Sequence, residues 1–258
     1  MSRLVLSDLS ARYNGTPVIR NISFRSEPGE LVGLIGANGA GKTTLLRAAA
    51  NLMPFIGSAM LDDRPIADWP RRDLARRLAY LAQGHDAHWP MPVEDVVGLG
   101  RLPHLAFLGQ PGETDSVAIA RAMEKTETTA FAHRNVMTLS AGERARVMLA
   151  RALAVKAPLL LADEPIAALD PYHQLHIMEV LQAEAASGRA VVVVLHDLTL
   201  AARFCDRLVL MGDGQIIADG TPDAVLTDDN LAAAYRISVR QGGSGDTRYV
   251  VPWRRLPD

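Results

Sequence analysis

The chain has 258 residues, of which 48% are hydrophobic and 22% charged, and its formal net charge at pH 7 is −2. This composition is typical of a globular protein with a sizeable apolar core and excludes general disorder. The near-neutral charge supplies no basic field for binding nucleic acid, and the single cysteine excludes an intrachain disulfide and a multi-cysteine metal site.

The first part of the chain is predicted to form an antiparallel edge followed by a strand–loop–helix unit. The turn signal Asn14-Gly15 joins two short strands, and Pro54 closes the helix. The predicted elements are the strands 3–9, 17–24 and 30–35, the helix 43–52, and a further strand at 78–82.

From residue 84 to about 154 the pattern changes to helices punctuated by Pro and Gly, which predicts an inserted helical subdomain. Strands and helices then alternate, which indicates a mainly parallel sheet covered on both faces. The predicted elements are the strand 158–163, the helix 171–187, the strand 190–195, the helix 197–204, the strand 207–211, the helix 228–235 and a last strand near 249–251.

Two further features of the pattern concern burial and membranes. Helical spacing predicts that Leu175, Met178, Leu181 and Ala185 form the buried stripe of the helix 171–187.

The longest aliphatic run, AVVVVL, is far shorter than a membrane span, and the N-terminus lacks the continuous apolar region of a secretory signal. We therefore expect a cytoplasmic chain that reaches a membrane only through a partner.

A phosphate-binding loop is the most specific motif of the sequence. Gly36, Gly41, Lys42 and Thr43 match GxxxxGK[ST] between a predicted strand and a predicted helix. Glycines let backbone amides turn toward phosphates, the lysine neutralises their charge, and the threonine hydroxyl can bind Mg²⁺. The alternative is a glycine-rich turn that only joins strand to helix. The candidate nucleotide-binding residues are Gly36, Ala37, Asn38, Gly39, Ala40, Gly41, Lys42, Thr43 and Thr44.

Two carboxylates follow the apolar run 159–162, at the end of a strand where open α/β sheets bind ligands. Asp163 is the candidate magnesium ligand, directly or through water. Glu164 is the candidate general base that polarises the attacking water. The alternative is an acidic pair that caps the next turn.

A helix cap at residues 140–143 is the second candidate phosphate contact. Ser140 and Glu143 form the S-x-x-E pattern of a reciprocal cap, which does not explain the intervening Gly142. Glycine costs about 1 kcal/mol relative to alanine within a helix. Because it leaves the helix N-terminus open to an anion, we infer a second phosphate-contacting surface.

The order of these motifs resembles the ATP-binding subunit of an ABC transporter over essentially the whole chain. The motifs are the phosphate loop, LSAGE, LLLADEP, Ala168-Leu169-Asp170 and then His196. The resemblance implies a P-loop NTPase (RecA-like) α/β core with an N-terminal antiparallel β region and an inserted helical subdomain. The implied domains are 1–84 with 155–225 as core, 85–154 as helical subdomain with the signature, and 226–258 as C-terminal extension.

The family also implies roles for four further positions, and these roles rest on the resemblance alone. Tyr13 corresponds to the aromatic that stacks on adenine, although a tyrosine that only packs in a sheet is the alternative. Gln83 corresponds to the glutamine that touches Mg²⁺ and water, His196 to the histidine that contacts the γ-phosphate, and Asp170 to the loop that communicates across the dimer. For His196 the alternative is a structural histidine, and Asp170 is also the N-cap of the next helix.

In this family two subunits pair head to tail, so that the signature of one closes over the nucleotide of the other. The signature residues would be Ser140, Ala141, Gly142 and Glu143. Ala141 and Glu143 depart from the more usual LSGGQ, and Ala167 replaces a common serine, but no catalytic group is lost. The expected ligands are ATP and Mg²⁺.

The segments VGLGRLPH at 97–104 and LHDLTLAAR at 195–203 are similar to importers of iron chelates, haem and cobalamin. The resemblance then implies permease partners, a substrate-binding protein acting through them, and a peripheral place on the cytoplasmic face of the membrane. Residues 89–101 are the candidate docking face, against the alternative of an ordinary packed insert. The rival functions are a soluble ABC ATPase acting on nucleic acid or translation, and a small-molecule phosphotransferase.

Overall fold

The structure is a computed structural model that describes residues 3–84, 90–106 and 109–256. Its strands are β1 (Leu4–Tyr13), β2 (Thr16–Ser26), β3 (Leu31–Gly36), β4 (Ile56–Leu61), β5 (Arg64–Pro65), β6 (Leu78–Leu81), β7 (Leu159–Asp163), β8 (Ala190–Val194), β9 (Arg207–Gly212), β10 (Gln215–Gly220), β11 (Ile237–Gly242) and β12 (Tyr249–Arg255). Its helices are α1 (Lys42–Ala49), α2 (Arg71–Arg77), α3 (Val93–Gly98), α4 (Glu113–Lys125), α5 (Ala141–Ala154), α6 (Pro171–Ala186), α7 (Leu198–Phe204), α8 (Pro222–Val225) and α9 (Asp228–Tyr235).

The central sheet has six strands in the order β10-β9-β3-β8-β7-β6. All neighbours in it run parallel except β10, which pairs antiparallel with β9. Strands β3, β7 and β8 are buried along their whole length, as expected for a parallel sheet with both faces covered. The predicted α/β fold class is confirmed.

Strand β8 shows how the two faces of this sheet enter separate cores. Val191 and Val193 pack in one apolar cluster with residues of α5 and α6, whereas Val192 and Val194 pack in the other with residues of α1 and of the antiparallel sheet. Alternate side chains of a strand point to opposite faces, so the four consecutive valines of this strand serve both cores at once.

An antiparallel sheet in the order β2-β1-β4-β5 covers one side of the core. Its first two strands meet at Asn14 and Gly15, which both have positive φ, at 49° and 82°. Such a two-residue turn matches the twist of a hairpin, and asparagine and glycine tolerate that backbone. The predicted hairpin is confirmed, whereas β4, β5, β10 and β11 were not predicted.

The prediction for Leu175 is wrong, because this side chain is 36% exposed. The buried stripe of α6 instead runs through Ile177, Met178, Leu181 and Ala185. At 3.6 residues per turn this stripe is centred away from Leu175, which lies at its edge.

Helices α3, α4 and α5 lie between β6 and β7 in the chain and pack against one another. A buried ion pair ties them together, because Arg101 Nε donates to Asp115 Oδ1 at 2.8 Å. The same guanidinium donates from Nη1 to the carbonyl of Ala154 at 2.8 Å, at the end of α5. The implied domain bounds, 1–84 with 155–225, 85–154 and 226–258, stay predictions.

Within the described ranges, no helix has both the length and the apolar character that crossing a membrane requires.

Candidate functional site

The candidate site lies where four neighbouring parallel strands end. The loop 36–44 follows β3, His196 follows β8, Asp163 and Glu164 lie at the end of β7, and Gln83 follows β6. Ligands of open α/β sheets bind at the carboxyl ends of the strands. A cavity of about 280 Å³ opens there, lined by Val18, Asn38, Gly39, Gly41, Lys42, Thr43, Thr44, Gln83 and Glu164.

The loop requires glycine at two positions, and a different neighbouring residue excludes a side chain at each of them. Gly36 has a φ of 148°, and a Cβ there would lie 2.3 Å from the carbonyl oxygen of Met211. Gly41 has a φ of 96°, and a Cβ there would lie 2.5 Å from Cγ2 of Ile19. Side chains at either position would be both strained and in collision, so the loop can keep this path only with glycine.

Lys42 is buried and directed back over the loop. Its Nζ donates to the carbonyls of Gly36 at 2.7 Å and Ala37 at 3.0 Å. Burial lowers the pKa of Lys42, and the nearby charges of Glu164 and Asp163 oppose that change. The lysine is therefore a partly desolvated cation at the floor of the cavity, where it attracts an anionic group more strongly than it would in bulk water.

Thr43 and Asp163 form the candidate magnesium position. Thr43 Oγ1 donates to Asp163 Oδ1 at 3.2 Å, and Asp163 is fully buried. No well-formed hydrogen bond from the described residues reaches Asp163 Oδ2. Burial raises the pKa of Asp163, the hydrogen bond from Thr43 opposes this, and the charge of Glu164 adds to it.

Hard oxygen donors that include a buried carboxylate oxygen without a well-formed hydrogen bond fit Mg²⁺, which is usually held by one or two carboxylates together with phosphates. The described residues include no group of three or more His, Cys, Asp or Glu side chains that could hold a metal alone. A magnesium ion here would therefore share its coordination with a bound phosphate. Tyr80 lies beside Asp163, and burial with this charge raises the pKa of Tyr80 to about 12.

Glu164 and His196 are in direct contact. His196 Nε2 lies 2.7 Å from Glu164 Oε1, and their side chains are 42% and 15% exposed. Glu164 also has a φ of 53°, a left-handed backbone that is uncommon for this residue type. Strain of this kind is found where a side chain must be aimed at a ligand, and here it points the carboxylate into the cavity.

The signature residues lie apart from the cavity, and none of them is among its lining residues. Ser140 N–H donates to Glu143 Oε2 at 2.8 Å, and Glu143 N–H donates to Ser140 Oγ at 3.2 Å, so the predicted reciprocal cap is confirmed. The hydrogen bond from Ser140 lowers the pKa of Glu143. Ala141 begins the helix that this cap opens.

Gly142 has an intrachain role that the sequence did not indicate. A Cβ at this position would lie 3.2 Å from the carbonyl oxygen of Ala168. Glycine thus lets the start of α5 approach the loop before Asp170 within the same subunit. Asp170 caps α6, since its Oδ1 accepts from His173 N–H at 2.9 Å, and this bond lowers the pKa of Asp170.

The structure does not bring Tyr13 into the cavity wall. This residue ends β1 and is 59% exposed, whereas Val18 of β2 lines the cavity. Nothing in the sequence distinguishes Val18 from other apolar residues of a strand, so its place at the cavity was not predicted. The contact of Tyr235 was not predicted either, because its hydroxyl accepts from Gly36 N–H at 2.7 Å across 199 positions of sequence.

The candidate docking face is described only in part, since Trp89 lies outside the described residues. At the other end of this segment the prediction is wrong for Arg101. This residue is buried in the ion pair with Asp115 rather than presented at the surface. Leu99 and Leu102, which flank it, are 37% and 58% exposed.

Comparison with known proteins gives consistent matches. The ABC transporter family model matches residues 19–167. Hemin import ATP-binding protein HmuV of Streptomyces coelicolor is 44% identical over 88% of this chain and 81% of that protein. Cobalamin import ATP-binding protein BtuD of Halobacterium salinarum is 42% identical over 93% of this chain and 60% of that protein.

Among solved structures, the dimeric ATP-binding cassette MJ0796 bound to ADP and Pi is similar at a TM-score of 0.75 and 25% identity. The match covers 85% of this chain and 98% of that chain.

Proposed function

Because the chain belongs to the ABC transporter family as an ATP-binding ATPase, we propose that it powers an importer of a haem, iron-chelate or cobalamin-type compound. The observation that carries the proposal is the single cavity that joins the phosphate loop to Glu164, with Asp163 and His196 beside it. Relatives named as hemin and cobalamin import proteins support the cargo class.

ATP would be held by the loop 36–44 and the N-terminus of α1. Backbone amides of the glycines and the positive end of the helix dipole face the phosphates, and Lys42 exchanges its two carbonyl partners for phosphate oxygens. Thr43, Asp163 and Gln83 would hold Mg²⁺, which when bound neutralises charge on the phosphates.

Hydrolysis would use Glu164 as general base, oriented by His196. Glu164 accepts a proton from water as the water oxygen bonds to the γ-phosphorus. The bond from that phosphorus to the β–γ bridging oxygen breaks, which leaves ADP and phosphate. Because His196 holds one carboxylate oxygen at 2.7 Å, the other would face the water.

We propose that the working unit is a head-to-tail pair of these chains. Ser140, Ala141, Gly142 and Glu143 lie outside the cavity of their own subunit, so they would contact the nucleotide of the other. Asp170 would face the partner beside them. The dimeric state of the similar cassette MJ0796 supports this arrangement.

The pair would bind membrane permeases at the inner, cytoplasmic face of the membrane, and a substrate-binding protein would act through the permeases. The exposed Leu99 belongs to the candidate docking region 89–101, and the exposed Leu102 follows it directly. A soluble ABC ATPase acting on nucleic acid is not favoured, because the similar proteins reported above are import subunits.

To test the proposal, the chain is co-purified with its permeases and the complex is reconstituted in liposomes. ATP hydrolysis is then measured with binding proteins loaded with haem, with an iron chelate or with cobalamin. Stimulation by one loaded binding protein is expected. Hydrolysis that no loaded binding protein stimulates would contradict the importer assignment, while leaving ATPase activity itself intact.

A further inference from the structure

The C-terminal extension, residues 226–256 of the described chain, contacts the phosphate loop through one side chain. Tyr235 is the last residue of α9, and its hydroxyl accepts from the backbone N–H of Gly36 at 2.7 Å. Burial raises the pKa of Tyr235 to about 12, so the phenol stays protonated at neutral pH. The bond joins positions 199 residues apart in sequence.

Gly36 is held through both of its backbone polar groups. Its N–H is bound by Tyr235, and its carbonyl oxygen accepts from Lys42 Nζ at 2.7 Å. At the same residue the backbone leaves β3 with a φ of 148° and no room for a side chain. Gly36 therefore sets the angle at which the loop leaves the sheet, and Tyr235 is one of its supports.

The extension has a second anchor beside the site. Thr199 Oγ1 accepts from the Val250 N–H at 3.0 Å and donates to the Val250 carbonyl at 3.1 Å. Thr199 lies in α7, the helix that follows His196. Val250, in β12, is buried and belongs to the same apolar core as α6 and α7.

We propose that the C-terminal extension braces the nucleotide site, with Tyr235 as a positioning residue for the phosphate loop. It touches the loop at Gly36 and, through Val250, the helix that carries the chain away from His196. Without the Tyr235 hydroxyl the partly buried N–H of Gly36 loses its acceptor, and the loop shifts from the path that holds its amides toward the phosphates. This inference rests on the proposed ATP site.

The test compares Tyr235→Phe with the control Tyr249→Phe, a half-exposed tyrosine in β12 of the same C-terminal extension. Loss of one hydrogen bond predicts a MgATP Kd about two- to tenfold higher for Tyr235→Phe. The control should match the wild type. Calorimetric titration gives the Kd, and steady-state kinetics should show a raised KM with kcat changed less than KM.

The outcomes separate the two proposals. Wild-type chain that fails to bind MgATP would contradict the proposed function. Wild-type binding with an unchanged Kd in Tyr235→Phe would overturn the positioning role. A purely structural role would lower Tm and leave the Kd of the folded protein unchanged, which also overturns it.

A second variant tests the anchor independently. Thr199→Val keeps the shape of the side chain and removes both hydrogen bonds to Val250. If it acts through the extension, it raises the MgATP Kd when Tyr235 is present and adds little in the Tyr235→Phe background. An equal further increase in both backgrounds would contradict this coupling.

Discussion

Glu164 and His196 share a hydrogen bond of 2.7 Å between Oε1 and Nε2, although 32 residues separate them. They reach each other because β7 and β8 are adjacent parallel strands and both residues follow the same edge of the sheet. The left-handed backbone of Glu164 turns its carboxylate toward the cavity. The topology of the sheet thus brings together the proposed base and its proposed orienting group.

Glu164→Gln should abolish hydrolysis and leave ATP binding intact. The amide keeps the shape of the side chain but cannot take a proton from water, so we expect kcat to fall by about 100-fold or more. Steady-state hydrolysis and nucleotide titration measure the two properties. Glu179→Gln, on the exposed face of α6, is the matched control. Retained wild-type turnover in Glu164→Gln would remove Glu164 as general base.

His196→Ala should also lower kcat, but its effect should not add to that of Glu164→Gln. If the histidine acts by orienting the carboxylate, the double variant should hydrolyse ATP about as slowly as Glu164→Gln alone. Single-turnover rates of the wild type, the two single variants and the double variant give the coupling free energy between His196 and Glu164. Fully additive losses would show that His196 acts on the phosphate independently of Glu164.

A composite dimeric site predicts complementation between two inactive variants. Lys42→Ala removes the phosphate lysine, and Ser140→Ala removes the capping hydroxyl of the signature, so each homodimer has two defective sites. Random mixing gives half heterodimers with one intact site each, and we expect up to about a quarter of wild-type activity. No recovery on mixing, with heterodimers verified by differently sized tags, would contradict the shared site.

Asp163→Asn should stabilise the chain without nucleotide while abolishing hydrolysis. Because burial raises the pKa of Asp163 above its ordinary value of 3.8, the folded chain holds this proton more tightly than the unfolded chain. The ionised carboxylate therefore lowers stability increasingly as pH rises from 3.8 through the folded-state pKa, and the cost is constant above it.

At neutral pH Asp163→Asn should unfold at a higher urea concentration than the wild type, and this gain should disappear toward acid. Urea unfolding of both proteins at a series of pH values measures it. A variant that is less stable than the wild type at neutral pH, or a gain that does not depend on pH, would contradict this account of Asp163.

Arg101→Met should destabilise the helices around the signature, because it removes the ion-pair partner of the buried Asp115 and leaves that carboxylate with the hydrogen bond from the Gly112 N–H. Breaking a buried ion pair costs about 3 to 5 kcal/mol, whereas the exposed pair of Arg3 and Asp63 should contribute less than about 1 kcal/mol. Urea unfolding compares Arg101→Met with Arg3→Met. Adding Asp115→Leu to Arg101→Met should restore part of the loss. No recovery would show that the other hydrogen bonds of these two side chains dominate, from Arg101 to the Ala154 carbonyl and from the Gly112 N–H to Asp115.

The sequence alone determined the phosphate loop, the carboxylates Asp163 and Glu164, the reciprocal cap at Ser140 and most of the strands of the central sheet. These features are local. Each of these features depends on residues only a few positions apart, as in a glycine with positive φ, a capping hydroxyl or an aliphatic run. Residue type and spacing are therefore enough to recognise them.

Only the tertiary structure decided which of these features meet. Strand order placed His196 against Glu164, the packing of α5 gave Gly142 a neighbour in its own chain, and the fold directed Tyr235 to Gly36. The register of α6 moved Leu175 out of the core, and Tyr13 stayed outside the cavity. Such contacts join residues far apart in the chain, and their partners are set by strand order and close packing rather than by any local pattern.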